Sequence, residues 1–489
     1  MSKGRNCLRI HGFVGVSIVL LGGVFLLNEA VGSMEFIQIA DDGWRFETAR
    51  THQPFVPWGV NYFTVGSDWA PDMWSDEHFR PDKVRQDFKT MGKLGVNVAK
   101  VIFPAKRIIK VHKNKVELNR KVLKRFEVMR QAAKQNNIRL IVTLSPGWLG
   151  LPTKWFSFTS DRTREILATF WSEFSRKYRN DPLIMGYSLA VEMDIHMWKE
   201  LEEPWREWLR DTYGDIAALN DAWKSQNKNF DSIAVPGQDG KNSEDWWLHA
   251  EGTPENENLT NDPRLYDFQR YRRELARLYI KPQYDALKRA APKQLVSFGL
   301  VQWSAFVRHS GAGDHEGPIG AFPFDPRAII DVQDYLAPHF YPCYPAADLD
   351  TQFRYAQLWL RYCYAGKPLV LEEFNYGADN AGYCRKLVEM TRDDASGWMV
   401  WTFQNYPNSD GVTEVCGLID EAGELTEWGR AFQEMGPEVK SWNLRRRSPT
   451  RTIVLPERWL LTSGQYRREI DFLIRNTSHT EAIDFELKR

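Results

Sequence analysis

An alternation of apolar, strand-like segments with stretches of helical spacing, repeated until eight strands are counted, predicts a (β/α)8 barrel. The rival architecture is a doubly wound open sheet. Two observations weigh against it: no Gly-x-Gly-x-x-Gly turn follows the first strand segment, and polar residues collect at the ends of many strands, not in one crevice. A barrel brings those ends to one face, so Asn61, Ser145, Glu192, Gln302, His339, Tyr341, Glu373 and Trp401 should converge there.

The elements follow in order. After residue 33 a short hairpin feeds the first strand, Phe55 to Phe63. A helical pattern from Pro81 to Leu94 leads to the second strand, Gly95 to Phe103, and one from Leu118 to Gln135 leads to the third, Ile138 to Ser145. Arg162 to Tyr178 is helical again, and the fourth strand, Leu183 to Val191, delivers Glu192. An insertion of roughly 195–263 follows, with a helical stretch (Trp205 to Trp223) and a Gly, Asn and Asp-rich loop (Ser225 to Asp262) carrying Trp246 and Trp247. It leaves from the face where strand ends converge and should wall a cleft. The last four strands are Leu295 to Trp303, Asp334 to Pro342, Lys367 to Gly377 and Gly397 to Phe403. Residues 441–489 read as a small β appendage of short alternating strands, too few for an independent core.

Composition sets bounds on function. With 64 Lys plus Arg against 64 Asp plus Glu, no global field recruits nucleic acid or an anionic membrane. The 20 tryptophans serve either as core or as flat platforms for the apolar face of a sugar ring. Lys3, Arg5 and Arg9 precede an apolar run from Phe13 to Leu27 and small residues at Ala30 to Ser33. That is the layout of a secretory leader over residues 1–32, removed on export or retained as a membrane anchor. The expected location is therefore periplasmic, extracellular or membrane-anchored. Beyond the leader, Cys343, Cys363, Cys384 and Cys416 allow two disulfides or free buried thiols, and their spacing does not suggest zinc. No metal or organic cofactor is expected.

The chemistry is concentrated at two strand ends. In KPLVLEEFNYG an apolar strand stops at Glu372 and Glu373, and in DPLIMGYSLAVEMD another stops at Glu192. A carboxylate at the end of a buried strand is costly unless that end opens into a site. Two such glutamates can supply the acid and the nucleophile of a glycosidase. Because neighbours on a strand face opposite ways, only one of Glu372 and Glu373 should reach the barrel mouth, leaving the other as a surface or supporting charge.

These segments resemble the retaining glycoside hydrolases of clan A, specifically the family 5 cellulases and mannanases and the family 42 β-galactosidases. The resemblance lies in GVNYF on the first strand, LGVNVAKVIF on the second, the glutamate closing the fourth, HFYP on the sixth, KPLVLEEF on the seventh and Trp401 on the eighth. The insertion's LRDTYGDIAALNDAWKSQNKNFDSIAVP is similar to a stretch of the family 42 enzymes. The resemblance implies Glu192 as general acid/base and Glu373 as nucleophile, with β-glycosides or polysaccharides as substrates. Asn61, Gln302, His339, Tyr341 and Trp401 are the candidate substrate-binding residues; Tyr341 is also placed to hydrogen-bond Glu373. Two positions depart from the family pattern: Val191 replaces the asparagine before the acid/base, and Lys100 replaces an arginine on the second strand. Val191 motivates the alternative reading, a non-catalytic carbohydrate-binding protein on the same scaffold.

Overall fold

The computed structural model describes residues 34–64, 72–112, 115–145, 157–193, 198–235, 263–301, 323–342, 348–375, 380–407, 413–457 and 465–488. Its centre is a ring of parallel strands: β1 (Trp58–Tyr62), β2 (Val98–Pro104), β3 (Arg139–Ser145), β4 (Ile184–Val191), β5 (Leu295–Leu300), β6 (Ala337–Phe340), β7 in two halves (Val370–Leu371 and Glu373–Phe374) and β8 (Gly397–Val400). The interruption of β7 at Glu372 closes the ring. Its lower half pairs with β8 through Val370 and Gly397, and its upper half with β6 through His339 and Glu373. The expected TIM barrel is therefore the fold.

Helices on the outer face begin where the local chemistry satisfies their free N–H groups. Pro81 opens α1 (Pro81–Lys93), while Asn119 caps α2 (Arg120–Gln135) and Ser160 caps α3 (Asp161–Tyr178), each accepting a backbone N–H of the first turn. Val84, Phe88 and Met91 then lie on one buried stripe of α1 against the barrel. The insertion provides α4 (Trp198–Tyr213) and α5 (Ile216–Trp223) before the long α6 (Pro263–Ala290) returns the chain to β5. Trp246 and Trp247 lie outside the described residues. Among the described residues between β5 and β6 there is only a 3-10 turn, Ile330–Val332. After β6, α7 (Leu349–Cys363) is capped by Asp348; α8 (Asn380–Met390) and α9 (Glu427–Ser441) follow β7 and β8.

The N-terminal hairpin plugs the bottom of the barrel. Ile37 and Phe46 pack on Val98, Ile141, Met185, Leu295, Ala337, Val370 and Met399, one from each of β2 to β8. Each fully buried aliphatic there contributes about 1.5–3 kcal/mol. β1 contributes Gly59 at this level, where a Cβ would meet the Val98 carbonyl oxygen at 2.5 Å.

The C-terminal appendage differs from expectation. The segment read as a strand is a helix, α10 (Gln465–Asn476), between two parallel strands, β9 (Arg451–Pro456) and β10 (Ile483–Lys488). Ile470, Leu473 and Ile474 are buried at helical spacing, so a period of 3.6 prevails over the alternation that the short segment suggested. Arg361 on α7 ties β10 down through Asp484 at 2.9 Å. Cys363, Cys384 and Cys416 are buried and no disulfide joins these three to one another, and Cys343 lies outside the described residues.

Candidate active site

Two residues above the apolar layer, the same strands turn polar. Val98 is followed by Lys100, Ile141 by Thr143, Leu295 by Ser297, Ala337 by His339 and Val370 by Glu372, and all five polar side chains are buried. A step of two keeps a residue on the same face of its strand, so this is a charged and hydroxylic floor inside the barrel. Lys100 Nζ lies 2.8 Å from Glu372 Oε2 and 3.0 Å from Glu373 Oε1. Tyr341 donates its hydroxyl to Glu373 Oε2 at 2.8 Å. His339 Nδ1 lies 2.7 Å from Glu192 Oε1 and 3.4 Å from Glu373 Oε2.

Glu192 reaches this cluster through an irregular strand end. The register of β4 against β5 slips between Ser188 and Val191, and Glu192 itself has φ of 46° while its N–H bonds the Gly299 carbonyl. A non-glycine residue in the left-handed region costs of order 1–3 kcal/mol, and bulges of this kind re-aim side chains beside active sites. Gly299 has its own part. A Cβ there would sit 3.2 Å from His339 Nε2, so glycine leaves room for the imidazole.

Both glutamates of the LEEF segment are buried and both reach Lys100, so of the two places expected for the second carboxylate, the surface or a supporting position, Glu372 takes the supporting one. Alternation holds up to Glu372, which points inward like Val370; at that residue the strand changes partner, and Glu373 turns toward the same ammonium. Asn61 and His339 were expected to meet sugar hydroxyls. Asn61 is 1% exposed and spends its amide on the carbonyls of Glu372 (2.9 Å) and Val400 (3.2 Å), while His339 is fully buried among carboxylates. Both therefore support the site from below. Trp401 lies at the end of β8, 8% exposed, with its indole N–H on the Tyr406 hydroxyl at 3.1 Å and Phe63 alongside. Gln302 is outside the described residues. Tyr406, whose phenol is raised mainly by burial and in part by Glu373, went unnoticed in the sequence because its strand, Tyr406–Pro407, is two residues long and too short to show periodicity.

The electrostatics follow from burial and pairing. Burial alone would push His339 down, but the charge of Glu373 and the hydrogen bonds to Glu192 and Glu372 outweigh it and raise the imidazole to about 9. Burial likewise opposes the charge on Lys100 and Glu372, yet each holds the other ionised: Lys100 is raised and Glu372 lowered. Donor atoms of Glu192, His339 and Glu373 lie within 4.8 Å of one another, a spacing that a cation could bridge. Lys100 Nζ at 3.0 Å from Glu373 and the His339 ring at 2.7 Å from Glu192 already bring positive charge to these carboxylates.

Residues 152–316 match the family model described as Beta-galactosidase, glycoside hydrolase family 42. The proteins this chain resembles are glycoside hydrolases. A β-galactosidase of Halorubrum lacusprofundi is 32% identical over 92 residues, which is 17% of this chain and 13% of that protein. The chain thus spans only a small part of the curated relative it matches. Among solved structures, a family 42 β-galactosidase from G. stearothermophilus superposes with a TM-score of 0.66 at 15% identity, covering 89% of this chain and 66% of that one. An exo-β-1,4-mannosidase from an Opitutaceae bacterium, strain TAV5, gives 0.60 at 15% identity, over 92% and 72%. At such identities the superpositions establish the barrel and not the substrate.

Proposed function

We propose that the protein hydrolyses a β-linked glycoside with retention, Glu373 serving as nucleophile and Glu192 as general acid and then base. One observation carries this reading: carboxylate oxygens from the ends of β4 and β7 lie within 4.8 Å of each other. Retaining enzymes hold their carboxyl groups about 5–5.5 Å apart, whereas inverting ones leave about 6.5–9.5 Å for a water. Charge balance supports the roles. Lys100 and His339 bring two positive charges to the three carboxylates of Glu192, Glu372 and Glu373, so one proton on a carboxylate makes the cluster neutral. Glu192, whose side chain is 29% exposed, is the one open to a leaving group, and Glu373 is held by Lys100 and Tyr341 as an anion ready to attack.

In the first step a Glu373 oxygen bonds the anomeric carbon while the glycosidic C–O bond breaks and the leaving oxygen takes the proton of Glu192. In the second, Glu192 draws a proton from water, which displaces Glu373. A β-galactoside is the first substrate to test, given the family matched by residues 152–316. We also infer export, with residues 1–32 removed as a leader or kept as an anchor; N-terminal sequencing of secreted protein decides between these.

The test is a panel of 4-nitrophenyl β-glycosides, with Glu192→Ala and Glu373→Ala compared for turnover and for sugar binding by calorimetry. Loss of the general acid should cost about 10²–10⁴-fold, loss of the nucleophile should end turnover, and binding should survive both changes. NMR of the first product should show the β-anomer. Wild-type protein that binds a sugar without turning it over would instead establish the carbohydrate-binding reading that Val191 motivates.

A further inference from the structure

We propose that Glu372 is a positioning residue: it is the permanent counter-ion of Lys100 and holds that ammonium against Glu373 through both halves of the reaction. The proposal rests on Glu373 being the nucleophile. Its basis is one buried cation shared by two carboxylates. The side chains of Lys100 and Glu372 are 0% exposed and that of Glu373 is 5% exposed, so water cannot stand in for any of them.

A lysine facing Glu373 alone would lose its counter-charge each time that carboxylate became an ester. A buried ammonium without a partner gives up its proton readily. Glu372 removes this dependence, because it does not react. It lies on the axis side of Glu373, where Lys100 of β2, His339 of β6 at 3.7 Å and Tyr335 just before β6 are the titratable groups around it.

The count of charges is the same in both states. Before reaction, Lys100 and His339 balance Glu372 and Glu373 while Glu192 holds its proton. In the covalent intermediate Glu373 is a neutral ester, Glu192 has passed its proton to the leaving oxygen, and the same two cations balance Glu372 and Glu192. Removal of the Glu372 charge leaves one positive charge in excess at each stage. Lys100 then either gives up its proton or pulls on Glu373 alone, and the nucleophile loses its place.

The experiment compares wild type, Glu372→Gln, Glu372→Asp and Glu373→Gln. Turnover of 4-nitrophenyl β-D-galactopyranoside is followed against pH. In parallel, the Lys100 side-chain signal is titrated by NMR in ¹³C-lysine protein and assigned by its loss in Lys100→Met. For Glu372→Gln we expect kcat/KM to fall about 100-fold, the penalty typical of a misplaced reacting group. Both limbs of the pH profile should move to lower pH, since a negative charge has been removed, and Lys100 should lose its proton at lower pH than in wild type. Glu372→Asp, which keeps the charge, should recover part of the activity and the wild-type Lys100 titration. An unchanged pH profile and Lys100 titration in Glu372→Gln, or equal losses in the Asp and Gln variants, would overturn the proposal. Full turnover by Glu373→Gln would instead overturn the assignment of the nucleophile, and the Lys100 titration, which needs no substrate, would still judge the role of Glu372.

Discussion

Replacing His339 by glutamine should make the stability of this protein lose a specific pH dependence. In the folded state the imidazole is raised from 6.5 to about 9, despite complete burial, by Glu373, Glu192 and Glu372. Such a displacement corresponds to about 3 kcal/mol in favour of the protonated form. Because the folded value lies above the unfolded one, the contribution is complete below about pH 6.5 and disappears as pH rises through about 9. The other titratable neighbours behave differently. Lys100 and Tyr341 are held above their ordinary ranges and Glu372 below its own, so none of these three titrates in that window. Urea unfolding followed by tryptophan fluorescence at pH 6, 8 and 10, for wild type and His339→Gln, isolates the effect. The wild-type advantage should shrink by about 3 kcal/mol between pH 6 and 10. An advantage that stays constant, or grows, would show that His339 is not a buried cation and that the charge balance drawn for the site is wrong.

Two further outcomes are expected. Tyr341→Phe removes the 2.8 Å hydrogen bond to Glu373, and a bond to a charged group contributes about 1.5–3 kcal/mol, so kcat should fall by about 10–150-fold while urea stability changes little. Gly299→Ala places a methyl 3.2 Å from both His339 Nε2 and the Ala190 carbonyl oxygen, and the imidazole, pinned among carboxylates, has little room to give; a loss of about 1–3 kcal/mol on urea unfolding is expected.

The barrel was legible because its evidence is local. Each of the eight strands reads as an apolar run at its own position, and the helices before the second, third and fourth strands read as stretches of helical spacing. The candidate carboxylates were legible for the same reason, as charges that interrupt apolar strands. The appendage was misread because Gln465–Asn476 is short, and over such a length alternating and helical spacing are hard to tell apart. Gln302 and the tryptophan pair of the insertion lie outside the described residues.

What each side chain does within the site was less accessible. Asn61, His339 and Glu372 all sit where strand alternation sends them, yet their partners come from strands 272 to 339 residues away in sequence or from neighbouring walls of the ring. Lys100 looked like a weaker substitute for an arginine until the interruption of β7 at Glu372 put two carboxylates on its single ammonium. The order of residues by itself determined the ring of strands, its helical jacket and the two strand ends that bear acid, since hydrophobic periodicity is a property of short windows. Only the closed tertiary structure decided which charges neutralise one another, because electrostatic pairing depends on distance through space, and closure of the barrel sets that distance.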